Sequence, residues 1–367
     1  MTELPRYYTD QLLTYIGNKR QLLGPIANAV DTAAERLGKD KLNLFDGFSG
    51  SGVVSRLLKS RATCLTTNDF EPYAEIVSRC YLSNRGDVNI ERLGQIVDDL
   101  NTIVDNESAS SSGFIQRLYS PADDEDIQAG ERAFYTNDNA RRIDHYRQLI
   151  DTVDESLRHL LLGPLLSAAS VHANTAGVFK GFYKDKETGI GKFGGSGSDA
   201  LTRIRGQVRL KPPVLSRFEA EVQVLSEDTN EAVRKLGSLD LAYFDPPYNQ
   251  HPYGSNYFML NLITEYVEPI EVSKVSGIPT DWNRSSYNKR HAALTALVDL
   301  ITNTDAKFIL LSFNNEGFVE PSELRSVLSS MGTLDEVEIP YNTFRGSRNL
   351  KGRNIHVTEH LYLLERE

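Results

Sequence analysis

Apolar residues recur at helical spacing over Asn18–Leu37, which predicts an amphipathic helix. Leu42–Phe45 is a short apolar strand; the turn Gly47-Phe48-Ser49-Gly50-Ser51-Gly52 follows it, and Val53–Lys59 opens a helix. Ala62–Thr67 reads as a second strand, ending at Asn68-Asp69, and Glu71–Leu82 as a second helix. That order of strand, turn, helix, strand and helix predicts a parallel, doubly wound sheet. The pattern then changes. Gly86–Ala173 is mostly helical in spacing with a serine-rich break at Ser108–Ser112, and Thr175–Gly197 mixes glycine, lysine and aromatics in the short alternating runs of a β-hairpin. Sheet spacing returns in the strands Val222–Leu225, Leu239–Phe244 and Lys307–Phe313, the helices Tyr257–Val267 and Ser322–Ser330, and the last strands Glu336–Ile339 and His360–Leu364. The expected class is therefore α/β, with one domain made of residues 1–85 and 214–367 and an insert, 86–213, that is helical with a hairpin.

Composition narrows the class without changing it. At 367 residues and 40% hydrophobic content the chain can bury a large core. No apolar run is long enough to span a bilayer, and Met1–Asp10 lacks the apolar stretch of a signal peptide. Cys64 and Cys80 form no CxxC pair and suit a reducing compartment. The expectation is a cytoplasmic protein with no metal site and no membrane partner.

The net charge of -10 looks wrong for a nucleic-acid binder, but the charge is segregated. Gly86–Glu131 holds eleven acids and two arginines, including the run Asp123-Asp124-Glu125-Asp126. Lys180–Lys211 holds eight basic residues and three acids, with Phe182, Tyr183 and Phe193 interleaved; Arg345, Arg348, Lys351 and Arg353 form a second basic cluster. Any one cluster could be a solvated face. Two in an acidic chain favour a side that meets phosphates.

The strongest chemical signal is Asp245-Pro246-Pro247-Tyr248, directly after the apolar strand Leu239–Phe244. It falls at a strand's carboxyl end, where open α/β sheets place ligands. Two prolines stiffen the backbone and remove two N–H donors, so the turn presents acceptors. Such a turn suits a planar amino group: the Asp245 carboxylate accepts one N–H, a turn carbonyl accepts the other, and Tyr248 stacks on the base. The second signal is the turn Asp46–Gly52 with Asp69 about twenty residues on, at the end of the next strand. An acid there commonly takes ribose hydroxyls. Asp46 adds negative charge that suits a cationic cofactor, though it also reads as the cap of a helix start. A third segment, Tyr15-Ile16-Gly17-Asn18-Lys19-Arg20, is by itself an ordinary turn and helix start.

In this order the three segments resemble the Dam-like DNA adenine methyltransferases, in the group whose cofactor half precedes its catalytic half. Tyr15–Lys19 is similar to that family's N-terminal motif, Asp46–Gly52 to its Phe-x-Gly-x-Gly loop, and Asp245–Tyr248 to its catalytic tetrapeptide. Thr175–Gly195, with Asn174, Gly177 and Gly181, resembles its DNA-contacting hairpin, and Ser312-Phe313-Asn314-Asn315 a late strand end. Tyr15 stands where the family usually has Trp, and Gly86–Asp154 matches nothing in the family.

The resemblance implies a Rossmann-like fold using S-adenosyl-L-methionine, with residues 86–213 as the target-recognition region. The donor would be bound by Tyr15, Lys19, Asp46, Gly50, Asp69, Asp228 and Asp245, with Lys19 at the methionine carboxylate, Asp69 at the ribose, and one of Ser226–Thr229 near the adenine. Asp245, Pro246 and Tyr248 would carry catalysis by direct in-line transfer to the N6 of an adenine flipped out of duplex DNA. Lys180, Tyr183, Lys184, Lys192, Arg345 and Arg348 would contact DNA. Tyr253 and Tyr257 are either further stacking residues or core, and Phe182 and Tyr183 either supply a wedge for the stack or pack beneath the hairpin. Asn249–Tyr257 looks more like restriction-associated enzymes, which implies a cognate endonuclease system as partner. An RNA adenine methyltransferase, an N4-cytosine DNA enzyme and a catalytically silent DNA-binding module are the rivals. The basic aromatic hairpin favours duplex DNA, Asp245 favours adenine, and the complete tetrapeptide and glycine loop favour an enzyme.

Overall fold

The computed structural model describes residues 2–107, 112–195, 199–342 and 356–367. After a short helix α1 (Pro5–Thr9) and α2 (Leu23–Leu37), the chain runs β1 (Leu42–Asp46), α3 (Val53–Lys59), β2 (Ala62–Asn68) and α4 (Pro72–Tyr81). The insert contributes α5 (Ile90–Glu107), α6 (Phe114–Tyr119), α7 (Asn137–Thr152), α8 (Glu155–Val171) and α9 (Asp199–Arg205). Then come β3 (Glu221–Leu225), α10 (Thr229–Val233), β4 (Leu239–Phe244), α11 (Tyr253–Asn256), α12 (Phe258–Glu265), α13 (Arg290–Asn303), β5 (Ala306–Asn314), α14 (Pro321–Ser329), β6 (Thr333–Asn342) and β7 (His356–Glu365).

The described strands form one seven-stranded sheet in the order β3-β2-β1-β4-β5-β7-β6. β1 to β5 pair in parallel, while β7 runs antiparallel to both β5 and β6. The central strands β1, β4 and β5 are buried almost throughout, as the apolar runs of a sheet covered on both faces require. Strand order reverses between β1 and β4, so the crevice at their carboxyl ends is where a ligand site is expected.

The two faces bury separate cores. One gathers Ile26 and Val30 of α2, Leu57 of α3, Leu44, Leu241, Leu310 and Leu361; the other gathers Leu297 of α13, Leu324 of α14, Phe45, Phe244, Leu311 and Tyr362. A third core joins the insert to the sheet's own cover: Val97, Phe134, Tyr146, Leu165, Phe179 and Phe182 pack in one cluster with Tyr73 and Val77 of α4 and Phe258 and Ile263 of α12.

Several elements differ from the sequence reading. The helix expected from Asn18 begins at Leu23, after a 3-10 turn over Arg20–Leu22. Gly17 takes a φ of 72° and the Asn18 side chain accepts from the Arg20 N–H at 3.3 Å, which turns Lys19 inward instead of along a helix. The hairpin is shorter than Thr175–Gly197: a single bridge joins Lys184 and Gly191, Asp185 N–H donates to the Ile190 carbonyl, and residues 196–198 lie outside the described ones. Asn174 takes over where strand pairing stops, donating to the carbonyls of Ala133 and Lys192 and accepting from Gly194 N–H. Finally, α13 is a helix the spacing did not predict.

Candidate active site

Three of the parallel strands, β1, β2 and β4, run into segments that line one crevice. β1 runs into the glycine turn, where Gly47 and Gly50 meet close neighbours. A Cβ on Gly47 would sit 2.7 Å from the Phe244 ring, and Gly50 has a φ of +51° with the Tyr15 hydroxyl 3.0 Å from its absent Cβ. β2 runs into Asp69, whose two oxygens accept from Gly50 N–H at 2.7 Å and Glu71 N–H at 3.0 Å. Burial raises the Asp69 carboxyl to about 6, against the pull of those N–H groups. β4 runs into Asp245.

Together these ends line one cleft. Its walls include Tyr15, Lys19, Phe48, Gly50, Asp69, Phe70, Glu71, Asp245 and Pro247, closed on one side by Asn283, Ser285 and Asn288. Glu71 is buried and accepts from Asn261 at 2.6 Å; desolvation lifts its pKa to about 8, so it holds its proton at neutral pH. The chain's single tryptophan, Trp282, stands next to Asn283 with the Arg284 guanidinium 4.4 Å over its ring.

Lys19 is the buried cation of the site. Its ammonium lies 2.9 Å from Asp245 Oδ1 and 3.0 Å from Glu359 Oε1. Desolvation works against its charge, but the two carboxylates outweigh it and hold its pKa well above the ordinary lysine value. Burial pushes the Asp245 carboxyl up to about 6, with Lys19 pulling it back, so Asp245 is an acceptor at neutral pH. Two of the three ammonium donors are thus engaged within the protein. A ligand carboxylate would meet the third.

A second cleft adjoins the first. It is lined by Tyr248 of the tetrapeptide, by Asn249 and His251 after it, by Ile16 and Asn256, and by Val178 and Lys180 of the insert. Pro247 and Tyr253 line both clefts. Asp245 belongs to the first and Tyr248 to the second, so the tetrapeptide is the partition between them. Pro246 is buried within that partition. Tyr248 is fixed from behind: its carbonyl accepts from Phe318 N–H at 2.9 Å and its ring meets Phe313 edge-on at 6.2 Å. Burial lowers the pKa of both Lys180 and His251, which leaves the imidazole neutral.

The remaining candidates are dispersed. Tyr15 stacks on Tyr257 at 4.6 Å and Tyr253 at 5.3 Å; Tyr257 is buried in the third core, whereas Tyr253 reaches both clefts. Asp46 is fully buried behind the glycine turn, away from the cleft lining, accepting from Ser55 Oγ at 2.5 Å. Burial raises its pKa to about 7. Asp228 is an exposed helix cap, accepting from Asn230 N–H at 2.9 Å, and is not among the residues lining either cleft. Of its segment, Thr229 is the member tied to the glycine turn, donating to the Gly47 carbonyl at 2.8 Å.

On the hairpin, Phe182 is buried against Phe134 at 5.1 Å, with Lys184 4.9 Å over its ring. Tyr183 is half-buried beside Gly195, and Lys192 lies 3.7 Å from Asp185. Arg345 and Arg348 lie outside the described residues. The acidic run is in part structural, since Asp124 accepts from Asn137 N–H at the start of α7. Glu71, Phe48 and Glu359 escaped the sequence reading. Glu71 stands two residues past Asp69 and Phe48 inside the glycine turn, so proximity to those motifs was the available signal. For Glu359 it was an acid bordering an apolar strand.

Residues 15–327 match the family described as D12 class N6 adenine-specific DNA methyltransferase. The type II methyltransferase M.NlaIII of Neisseria lactamica is 28% identical over 364 residues, covering 96% of this chain and 99% of that protein. M.CviAII of Paramecium bursaria Chlorella virus 1, also a type II methyltransferase, is 27% identical over 361 residues, covering 95% of this chain and 97% of its own. The modification methylase StsI of Streptococcus sanguinis is 26% identical over 371 residues, but the chain spans only 52% of it.

Proposed function

The chain belongs to the D12 class N6 adenine-specific DNA methyltransferases, and from that premise we propose that the first cleft holds S-adenosyl-L-methionine and the second an adenine flipped from duplex DNA. The family decides among the four readings of the sequence: the protein is a site-specific DNA adenine methyltransferase. The observation that carries the division of labour is the partition. Asp245 lines one cleft and Tyr248 the other, with Pro247 and Tyr253 common to both.

The first cleft fits the donor. The close approach at Gly50 leaves no room for a side chain, the ionised acids Asp69 and Asp245 favour a cation, and Phe48 and Phe70 offer apolar surface. Asp69 would hold the ribose, and Gly50 and Tyr15 the loop around it. Lys19 would offer its remaining donor to the methionine carboxylate. When bound, the donor supplies an electrophilic methyl on a sulfonium. Asp46 and Asp228 act at a distance from that site, the first beneath the loop and the second as a cap.

The protein's part in the reaction is positioning. Asp245 accepts one N–H of the target amine and the Pro246 carbonyl the other, which draws the nitrogen lone pair out of conjugation and aims it across the partition. Tyr248 stacks on the base. Lys180 and Val178 bring the insert to the wall of the base cleft. The insert 86–213 reads the target through Tyr183, Lys184 and Lys192, and the basic residues Arg345 and Arg348 of the C-terminal half are further candidates for phosphate contact. The relatives' type II names favour a cognate endonuclease as functional partner.

The test is transfer of labelled methyl from S-adenosyl-L-methionine into duplex DNA and into RNA of the same sequence. Label is expected in DNA alone, recovered as N6-methyladenine. Label in RNA, or in N4-methylcytosine, would refute the reading.

A further inference from the structure

The buried cation at the partition has a second anion that the proposed transfer does not use. Glu359 lies on β7, directly opposite Asn314 at the carboxyl end of β5. It is fully buried. The pleat sets it on the same face as Leu361 and Leu363, which pack into the apolar core of α2 and α3. Its Oε1 meets the Lys19 ammonium at 3.0 Å and accepts from Ser312 Oγ at 2.6 Å, and its Oε2 is buried with no hydrogen-bond partner among the described residues. An apolar residue would serve packing at this place at least as well, because burying a carboxylate is costly even when it is paired. The arrangement makes sense if the charge serves Lys19.

An ammonium on a four-carbon stem is a mobile point charge with three donors. Lys19 is 4% exposed, and two of its donors are already spent, one on Asp245 Oδ1 and one on Glu359 Oε1. We propose that Glu359 is a positioning residue for methyl transfer: by anchoring the Lys19 ammonium from β7 it fixes Asp245 Oδ1 and so the orientation in which Asp245 receives the target amine. This rests on the reading that Asp245 holds that amine. Glu359 also sets the charge around Asp245. The charged and titratable groups around Asp245 are Lys19 from the N-terminal segment, Asp46 from β1, Tyr243 from β4, Tyr248 at the end of the tetrapeptide, Tyr253 after it, and Glu359 from β7. Burial is the largest influence on Asp245 and raises its pKa; Lys19 lowers it and Glu359 raises it further. Removing the Glu359 charge therefore lets Asp245 ionise at lower pH.

The experiment is single-turnover methyl transfer across pH by the full chain, with S-adenosyl-L-methionine and duplex DNA, alongside donor and duplex affinities. For Glu359→Gln the rate is expected to fall about ten- to a hundredfold, the size of a small misplacement at the reacting centre. Duplex affinity should stay within about twofold, donor affinity should fall by much less than the rate although Lys19 also meets the donor carboxylate, and the acid limb of the profile should move to lower pH. Glu359→Asp keeps the charge but shortens the reach, so its rate falls while its acid limb stays. A folded Glu359→Gln enzyme with wild-type rate and profile overturns the proposal. So does a rate loss matched by an equal loss of donor affinity, which would place Glu359 in donor binding. If Glu359→Gln does not fold, Ser312→Ala, which loosens the same carboxylate, should lower the rate several-fold with affinities intact; a wild-type rate there overturns the proposal equally. Asp245→Asn is run in parallel. If it is inactive while Glu359→Gln is normal, only the role of Glu359 fails; if it remains active, the reading of Asp245 fails first.

Discussion

The cleft at the sheet and the hairpin of the insert are built on opposite plans. Around the sheet, the ends of β1, β2 and β4 bring Gly50, Asp69 and Asp245 to one crevice, and each is held by backbone or by a buried ion pair. The hairpin has one bridge of ladder, between Lys184 and Gly191, and owes its shape to the Asn174 amide and to Phe182 packed beneath it. A strand end tolerates little displacement, which suits chemistry that depends on orientation. A hairpin anchored by one aromatic and one amide can vary its exposed side chains without disturbing the sheet, which suits reading a target.

Four substitutions probe that contrast, the largest expected effect first. Phe182→Ala should cost about 3–5 kcal/mol of stability, as for other buried aromatics. Donor affinity of the folded protein should be unchanged, and a melting temperature equal to wild type would show that Phe182 does not anchor the hairpin. Asp245→Ala should leave the fold intact and cost about 2.7–4 kcal/mol in the transition state, the size of a lost preorganised contact. Transfer above about a hundredth of the wild-type rate would remove Asp245 from the chemistry. Asp69→Ala should weaken S-adenosyl-L-methionine binding by about 1–3 kcal/mol, with duplex affinity unchanged when no donor is present. Calorimetry giving equal donor affinities would break the assignment. Lys184→Ala should reduce the slope of log affinity against log salt by about one unit, with no effect on donor binding. An unchanged slope would mean that Lys184 serves only its contact with Phe182.

The sheet was legible because its signals are local. Leu239–Phe244 is the observed β4 to the residue, and β1, β2 and β3 differ from their predicted spans by one residue at one end. Parallel strands buried on both faces are continuous apolar runs, and the turns that end them carry the glycines and acids. The last two strands were harder. β6 spans Thr333–Asn342, where Asp335, Glu336 and Glu338 interrupt the apolar pattern because the strand is an edge whose polar groups pair with Arg36, Arg325 and His360. β7 was predicted to begin at His360, one residue past Glu359, since an acid borders an apolar run without declaring itself part of it. Lys19 was visible as a residue but not as an ion pair: its partners are 226 and 340 positions away, and only the turn at Gly17 and Asn18 brings it inward. The second cleft was illegible for the same reason, since Val178 and Tyr248 lie far apart in the sequence and share a wall only in the folded chain.

The placement of Trp282 has a practical consequence. Asn283 and Ser285, which follow it, line the first cleft, and no other indole exists in the chain to obscure it. Red-edge excitation therefore reports emission from this one locus. Its fluorescence provides an intrinsic optical gauge of events at the cleft mouth, with the Arg284 guanidinium over the ring as the neighbour whose movement would change the signal. Occupancy of the cleft can thus be followed in real time on the unlabelled enzyme, separately from any readout of methylated product.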